Sequence, residues 1–237
     1  MKTVGILGGL GPLAGAYFYL RLCELTPASG DEDHLPVVLD SDPEVPSRVN
    51  HLSGQGPSPL PALRALAGRL VECGADFVVM PSSTTSYYLP EIRASLSVPM
   101  LSIVEEVAAT VHQVGIQRLG VLGTTPTRTH HLYDATLASR DVAVVYPDDK
   151  SQQDTMDLIW AVKTSMMDQP GSVSTPSRSD VLVDILGRAW ARDVDAILLA
   201  CTELPVVGRF LLTTSAPKPI LHSTDILARA AIAFATS

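Results

Sequence analysis

The sequence predicts an α/β fold of two pseudo-symmetric doubly wound domains, each with a central, mostly parallel sheet flanked by helices. Short apolar runs alternate with helical patterns along the chain, which is typical of this class. Several runs are apolar at nearly every position, as expected for strands buried on both faces of a parallel sheet. Residues 74–84 also resemble residues 193–203, because each is an apolar strand that ends in a small nucleophile-like residue near a threonine. This repeat predicts two similar halves that face each other across a cleft at the strand ends, where ligands of α/β sheets usually bind.

The apolar runs predict the strands in order. They are expected at residues 3–7, 37–40, 77–80, 100–103, 118–122, 142–146, 196–199 and 219–222. Helices are expected at residues 13–26, 61–73, 103–114, 130–139, 151–167, 179–192 and 227–235. Pro12 at the start of the first helix and Gly74 after the second are typical boundary residues. Segments 43–61 and 169–177 are predicted as long loops, which in compact domains are often functional.

The composition argues against several classes of protein and of binding partner. The chain has 237 residues, of which 46% are hydrophobic and 18% charged, so wholesale disorder is excluded. A net charge of −8 with no Lys/Arg run argues against nucleic acid or an anionic membrane surface as the main partner. We find no secretory signal, membrane span or metal-ligand cluster, and the 3 cysteines show no close pairing. We therefore expect a cytoplasmic protein without a metal.

A glycine-rich turn follows the first predicted strand, where residues 8–12 read Gly-Gly-Leu-Gly-Pro. A strand, such a turn and a helix start bring backbone N–H groups close to an anion, so Gly9 is a candidate binding residue. The turn is not the dinucleotide fingerprint, because the third glycine is absent. A tight turn that needs only a positive φ is the alternative explanation.

Cys201 is the candidate catalytic thiol. It directly follows the strand predicted at residues 196–199 and its Ala200, and it precedes Thr202 and Glu203. A cysteine between a strand and a helix start faces N–H groups and the positive helix end, which stabilise a thiolate and lower its pKa. A buried cysteine that only fills the core is the alternative. Cys23 and Cys73 are assigned to packing.

Three further polar residues are open to two interpretations. Arg48 lies in the first long loop, where its guanidinium could bind a carboxylate through two hydrogen bonds or remain a solvated charge. Lys163 carries the same alternatives. Thr124 follows the strand predicted at residues 118–122 and either binds a ligand or caps the next helix.

The chain resembles the aspartate/glutamate racemase superfamily, in particular its aspartate racemase branch. The similarity lies in residues 5–14, 43–48, 74–81, 91–92, 98–99, 122–124 and 201–205, so it runs in order along nearly the whole chain. It implies two α/β domains with the active site between them, racemisation without pyridoxal phosphate or any other cofactor, and a homodimer. We place the first domain at residues 1–99 with about 213–237, and the second at about 100–212.

The resemblance also implies roles for the two repeated motifs. In the family, two cysteines flank the substrate α-carbon; one removes the α-proton and the other returns a proton to the opposite face. The second motif matches at Cys201, followed by Thr202 and Glu203. The first motif normally reads Cys-Asn-Thr, whereas this chain has Ser82, Ser83 and Thr84. Because a hydroxyl is a far weaker acid than a thiol, we expect Ser82 to make racemisation asymmetric.

Substrate-binding roles are implied for the remaining residues. Arg48 would bind the side-chain carboxylate of an acidic amino acid, and Lys163 would supply a second cation. Thr84 and Thr124 fall where the α-amino and α-carboxylate groups are usually held. Backbone N–H groups after Gly9 and around residues 82–84 would stabilise the developing enediolate. Glu203 would orient the loop that carries Cys201.

Three alternatives to an acidic amino-acid racemase stay open. A one-cysteine decarboxylase or isomerase on the same fold needs a single proton donor. An inactive homologue would bind dicarboxylates without turnover. A nucleotide-dependent enzyme could use the glycine-rich turn at residues 8–12.

Overall fold

The computed structural model describes residues 1–164, 177–208 and 216–237, and these residues form two four-stranded parallel sheets flanked by helices. The strands are β1 (Val4–Gly8), β2 (Val37–Ser41), β3 (Phe77–Val79), β4 (Met100–Leu101), β5 (Arg118–Leu122), β6 (Ala143–Val145), β7 (Ala196–Leu199) and β8 (Ile220–His222). All eight predicted strands are confirmed to within two residues at either end.

The helices follow the strands in the alternation that the sequence predicts. They are α1 (Pro12–Leu25), α2 (Arg48–Leu52), α3 (Leu60–Glu72), α4 (Leu89–Arg93), α5 (Ile103–Gln113), α6 (Thr125–Thr129), α7 (Asp134–Ala138), α8 (Asp149–Thr164), α9 (Arg178–Leu186), α10 (Leu204–Gly208) and α11 (Ser223–Thr236). Short 3-10 turns lie at Asp31–Asp33, Thr84–Tyr88 and Ala189–Ala191. None of these described helices is long and apolar enough to cross a bilayer.

The two sheets have the same topology. Their strand orders are β2-β1-β3-β4 and β6-β5-β7-β8, so β3 and β7 hold equivalent central positions. One side-chain contact is repeated as well. Asp76, just before β3, accepts a hydrogen bond from the backbone N of Thr3 at 2.6 Å. Asp195, just before β7, accepts one from the backbone N of Arg118 at 2.8 Å. The predicted repeat of residues 74–84 in residues 193–203 therefore corresponds to structurally equivalent strands.

The sheets divide the chain differently from the boundaries that we predicted. β4 lies beyond the expected end of the first domain at residue 99, yet it pairs with β3 through Val78 and Met100. β8 lies in the segment assigned to the first domain, yet it pairs with β7 through Ile197 and Ile220. Each half thus completes its own sheet with its last strand. The helix that follows β8, α11, packs against both α1 and α5.

One apolar core extends through both halves. Its buried side chains come from both sheets and from the helices between them, and they include Ile6, Phe18, Val107, Leu198 and Leu227. Full burial of a side chain of this size stabilises the fold by roughly 1.5–3 kcal/mol. Two further clusters lie outside this core, one in each half. The shared core fixes the ends of β1, β3, β5 and β7 relative to one another.

Some helix predictions are wrong in their boundaries. The loop predicted at residues 43–61 contains α2, which is capped because the Ser47 hydroxyl accepts a hydrogen bond from the backbone N of Asn50 at 3.2 Å. The helix predicted from residue 130 begins only at Asp134, because His131 takes a left-handed conformation with φ of 50°. The last residues of the helix predicted at 151–167, and the loop predicted at 169–177 before Ser177, lie outside the described residues.

Candidate active site

A cavity of about 460 Å³ lies among the segments that follow the strands of both halves. A volume of this order is typical of small-molecule sites, which range from about 300 to about 1,000 Å³. The cavity wall contains every site residue that the sequence predicts: Gly9, Arg48, Ser82, Ser83, Thr84, Thr124, Lys163, Cys201, Thr202 and Glu203. Much of the remaining wall is apolar and includes Leu10, Val45 and Trp160.

Cys201 is buried at the end of β7, with 8% of its surface exposed. Its thiol donates a hydrogen bond to Oε2 of Glu203 at 2.9 Å. Burial, followed by the negative charge of Glu203, raises the pKa of the Cys201 thiol well above its ordinary value, whereas Lys163 acts in the opposite direction. The expectation of a depressed thiol pKa is therefore wrong, because desolvation outweighs the cation and the backbone N–H groups. The surroundings of Cys201 thus favour the protonated thiol, which is hydrogen-bonded to a carboxylate oxygen.

Glu203 connects that thiol to a cation. Its second carboxylate oxygen, Oε1, forms an ion pair with Nζ of Lys163, in which the carboxylate is buried and the lysine is partly exposed. Gly11 makes room for this pair, because a Cβ atom at that position would collide with Oε1 of Glu203. The close approach of the Glu203 carboxylate thus accounts for a glycine at the last glycine position of the turn. Lys163, predicted as a cation for the substrate, is held by a carboxylate of the protein.

Arg48 occupies the first turn of α2 and lies in the cavity wall. Its guanidinium donates hydrogen bonds to the carbonyl oxygens of Val45 at 3.2 Å, Pro46 at 3.1 Å and Leu10. Burial lowers the pKa of Arg48, and the charge of Glu203 opposes that shift. Within the described parts of the chain, no carboxylate forms an ion pair with Arg48. A half-buried cation whose hydrogen bonds go to carbonyl oxygens favours an anionic ligand.

Ser82 follows β3 at the position equivalent to Cys201. Its hydroxyl shares a 2.7 Å hydrogen bond with the hydroxyl of Thr85. Over the ranges that the structure describes, no carboxylate, imidazole or amine is hydrogen-bonded to it, so nothing there acts as a general base. Its neighbour Ser83 lies in the cavity wall but directs its hydroxyl away, donating to the carbonyl oxygen of Ala200 at 2.6 Å.

Thr84 and Thr124 link the two halves at the cavity. Their hydroxyls are 2.8 Å apart, and the hydroxyl of Thr124 is 3.0 Å from that of Thr127. Thr124 also caps α6, so the capping alternative is confirmed while the residue still lines the cavity. Gly9 has φ of 80°, and a Cβ atom there would overlap the backbone of Asp42. The tight-turn explanation for Gly9 therefore holds, whatever the residue binds.

Sequence reasoning missed two aromatic residues. Trp160 lies in the cavity wall with 43% of its surface exposed, one helical turn before Lys163 on α8. That spacing places both side chains on one helix face and could have identified Trp160. Tyr133 contacts Ser83 from the other half of the chain, and no sequence pattern signals it. Cys73, predicted to pack, is exposed.

The comparisons with known proteins agree with the fold. These features define an α/β racemase-like protein with a candidate site between two similar halves. The Asp/Glu/hydantoin racemase family matches residues 7–231, and the chain belongs to this family. The resemblance stated from the sequence is confirmed. Among the described residues, no group of three or more His, Cys, Asp or Glu side chains could hold a metal ion.

Three individual relatives are similar to the chain over nearly its whole length. It is 29% identical over 236 residues to the broad specificity amino-acid racemase RacX of Bacillus subtilis (strain 168), covering 97% of this chain and 96% of that protein. The aspartate racemase of Picrophilus torridus superposes with a TM-score of 0.86 at 29% identity, over 100% of this chain and 95% of that one. A glutamate racemase of Francisella tularensis in complex with D-glutamate has a TM-score of 0.67 at 12% identity, over 98% and 80%, and shows the fold alone.

Proposed function

We propose that this chain is a cofactor-independent racemase of aspartate- or glutamate-like acidic amino acids, with Cys201 as its main proton-transfer residue. One observation carries the proposal. Cys201 and Ser82 follow the equivalent strands β7 and β3 and line the same cavity, beside the partly buried cation Arg48, which forms no ion pair with the described residues. This arrangement can present a proton-transfer group to each face of an α-carbon. Membership of a racemase family supports the reaction class.

The binding part of the mechanism follows from the charges of the cavity. Arg48 binds the side-chain carboxylate, because the partners of its guanidinium among the described residues are carbonyl oxygens and the substrate supplies a counter-ion. The hydroxyls of Thr84 and Thr124 hold the α-amino and α-carboxylate groups. Backbone N–H groups after Gly9 and around residues 82–84 stabilise the enediolate as negative charge develops on the carboxylate. The distal carboxylate thus determines the substrate class, and the hydroxyls orient the reacting carbon.

Proton transfer on the Cys201 face uses the neighbouring carboxylate. The thiol proton moves to Oε2 of Glu203, which already accepts it in a 2.9 Å hydrogen bond, and the thiolate then removes the α-proton. Lys163 holds the other oxygen of Glu203 and balances the charge. For the opposite substrate enantiomer, the protonated thiol delivers its proton to the enediolate and is recharged from solvent or Glu203.

Proton transfer on the Ser82 face is slow. Among the described residues, the Ser82 hydroxyl is hydrogen-bonded only to Thr85, so it holds a water molecule or relays a proton weakly. Each pKa unit of mismatch between donor and acceptor costs about 1.4 kcal/mol. We therefore expect rapid exchange of the α-proton on the Cys201 face and slower inversion.

Incubation with each enantiomer of aspartate and glutamate in D2O, followed by NMR and chiral analysis, tests this function. We expect loss of the α-proton signal to outpace inversion for the enantiomer whose α-proton faces Cys201. A Cys201→Ala variant should lose exchange but still bind the acid in calorimetry. A Cys73→Ala variant is the matched control, because Cys73 is exposed and absent from the cavity wall. Full exchange by Cys201→Ala would refute the mechanism.

A one-cysteine decarboxylase is the second candidate, and a specific observation favours it. The raised pKa of Cys201 keeps a proton donor ready on one face of the cavity, and the wall includes the apolar side chains of Val45 and Trp160. A malonate-type acid would lose CO2 there and be protonated by Cys201 on one face. Release of CO2 with a single product enantiomer, and no exchange with aspartate or glutamate, would select this reaction.

A further inference from the structure

Tyr133 makes a hydrogen bond that no feature of the sequence predicts. It lies between α6 and α7 in the second half, has 0% of its surface exposed, and its hydroxyl is 2.6 Å from that of Ser83 in the first half. Ser83 in turn donates to the carbonyl oxygen of Ala200 at 2.6 Å. A serine hydroxyl carries one proton and a carbonyl oxygen only accepts. Tyr133 is therefore the donor to Ser83, and Ser83 the donor to Ala200.

The protonation state of Tyr133 fits this direction. Burial raises the pKa of its phenol far above the ordinary range, and the nearby Cys201 raises it further. This shift favours the protonated phenol, as a donor to Ser83 requires. Tyr133 is absent from the cavity wall.

The two bonds join the loops that carry the proton-transfer residues. Ser83 directly follows Ser82, and Ala200 directly precedes Cys201. The chain from Tyr133 through Ser83 to Ala200 thus ties the end of β3 to the end of β7 across the two halves, in a dry environment where such bonds are strong. Ser83 occupies the position that is Asn in the family motif, and here its hydroxyl donates the hydrogen bond to the Ala200 carbonyl.

We propose that Tyr133 is a positioning residue that acts through Ser83 to fix the separation of Ser82 and Cys201, and thereby the share of α-proton exchange events that end in inversion. The proposal rests on the racemase function proposed above. A displacement of about 1 Å in such a site can cost about 100-fold in rate. A loosened connection should affect inversion most, since inversion needs both faces to be aligned with one α-carbon.

Tyr146 provides a matched control for Tyr133. Its hydroxyl also makes a 2.6 Å hydrogen bond, to Oδ2 of Asp134, and it is absent from the cavity wall. A Tyr→Phe change at either position removes one hydroxyl and keeps the aromatic ring in place. The two variants should therefore lose similar thermal stability, and only Tyr133→Phe should disturb the loops beside Ser82 and Cys201.

The first measurement is the ratio of inversion to α-proton exchange in D2O. We expect Tyr133→Phe to lower this ratio about tenfold, with KM unchanged to within about twofold, because the substrate-binding groups stay in place. Tyr146→Phe should keep the wild-type ratio. An unchanged ratio in an active Tyr133→Phe variant, or an equal fall in both variants, overturns the proposal.

A second measurement needs no substrate. Iodoacetamide labelling followed by peptide mass spectrometry gives the rate for Cys201 relative to the exposed Cys73. Tyr133→Phe and Ser83→Ala should each raise this relative rate, because Ser83→Ala removes the donor to the Ala200 carbonyl and Tyr133→Phe removes the hydroxyl that holds Ser83 in place. Tyr146→Phe should leave the rate unchanged. If no acid is turned over and the labelling rate still rises, the racemase function fails while the positioning role stands. An unchanged labelling rate overturns the positioning role.

Discussion

The thiol of Cys201 and the carboxylate of Glu203, two residues apart in the chain, form a 2.9 Å hydrogen bond inside the cavity. The bond has two opposing effects. The negative charge of Glu203 helps to keep Cys201 protonated, and its oxygen is also the nearest acceptor for the thiol proton. Lys163, paired with the other oxygen, moderates the first effect and leaves the second in place. These opposing effects can be separated by substitution.

Glu203→Gln should separate thiol acidity from turnover. Removal of the negative charge lowers the pKa of Cys201, so labelling of its thiol by iodoacetamide at neutral pH should become faster. The α-proton exchange rate should nevertheless fall by roughly 100-fold, because the proton acceptor is lost. An increase in both rates would mean that Glu203 does not accept the thiol proton.

Cys201 should make folding stability depend on alkaline pH. Its pKa is raised in the folded protein, so its contribution is complete below the unfolded thiol value of roughly 8.5 and is lost as the pH rises through the folded-state value. The free energy of unfolding of the wild type, relative to Cys201→Ala, should fall above about pH 8.5 by at most about 1.4 kcal/mol per unit. Denaturant titrations from neutral to alkaline pH measure it. A constant difference over this pH range would contradict the raised pKa.

Arg48→Ala should remove the preference for an acidic side chain. A charged hydrogen bond contributes about 1.5–3 kcal/mol, so KM for the acidic substrate should rise roughly 10-fold to 100-fold. The corresponding side-chain amide should be affected far less. Arg64→Ala is the control, since Arg64 is exposed on α3 and donates to the carbonyl oxygen of Glu91. Equal effects on the acid and its amide would assign Arg48 to loop structure alone.

Ser82→Cys should make the rates of proton transfer on the two faces of the site more nearly equal. A thiol is closer in acidity to Cys201 than a hydroxyl is, so inversion should accelerate by at least about tenfold while exchange on the Cys201 face changes little. Chiral chromatography of product formed in D2O measures both rates. Ser82→Ala is the companion variant, and we expect it to slow inversion only a few-fold. No response to Ser82→Cys would show that Ser82 is not the missing acid.

The local sequence predicts the strands well wherever consecutive residues are all buried. The runs that form β3 and β7 are apolar throughout, and they lie where predicted. The boundary between the halves could not be predicted in this way. Whether β4 pairs with β3 or begins the next unit depends on hydrogen bonds between strands, and the residue pattern of a short apolar strand does not encode its partner.

The features of the candidate site also divide into those that the local sequence predicts and those that it does not. Residues that follow strands could be found from position and chemistry, so Cys201 and Ser82 were predicted together in one cavity. Ser83 and Ala200 are 117 positions apart in the sequence, and a local residue pattern cannot predict a hydrogen bond between residues so far apart. The raised pKa of Cys201 was also missed, because a strand end suggests exposure to N–H groups whereas the folded chain buries the thiol.

The matching strand orders of the two sheets have an evolutionary consequence. A site built from two copies of one short polypeptide would carry the same residue on both faces, because a single codon would specify both. Here the two copies of the motif are encoded separately in one chain, so one can hold Ser82 while the other keeps Cys201. Two separately encoded motifs thus allow the two sides of a nearly symmetric cavity to carry different side chains, and each side can change on its own.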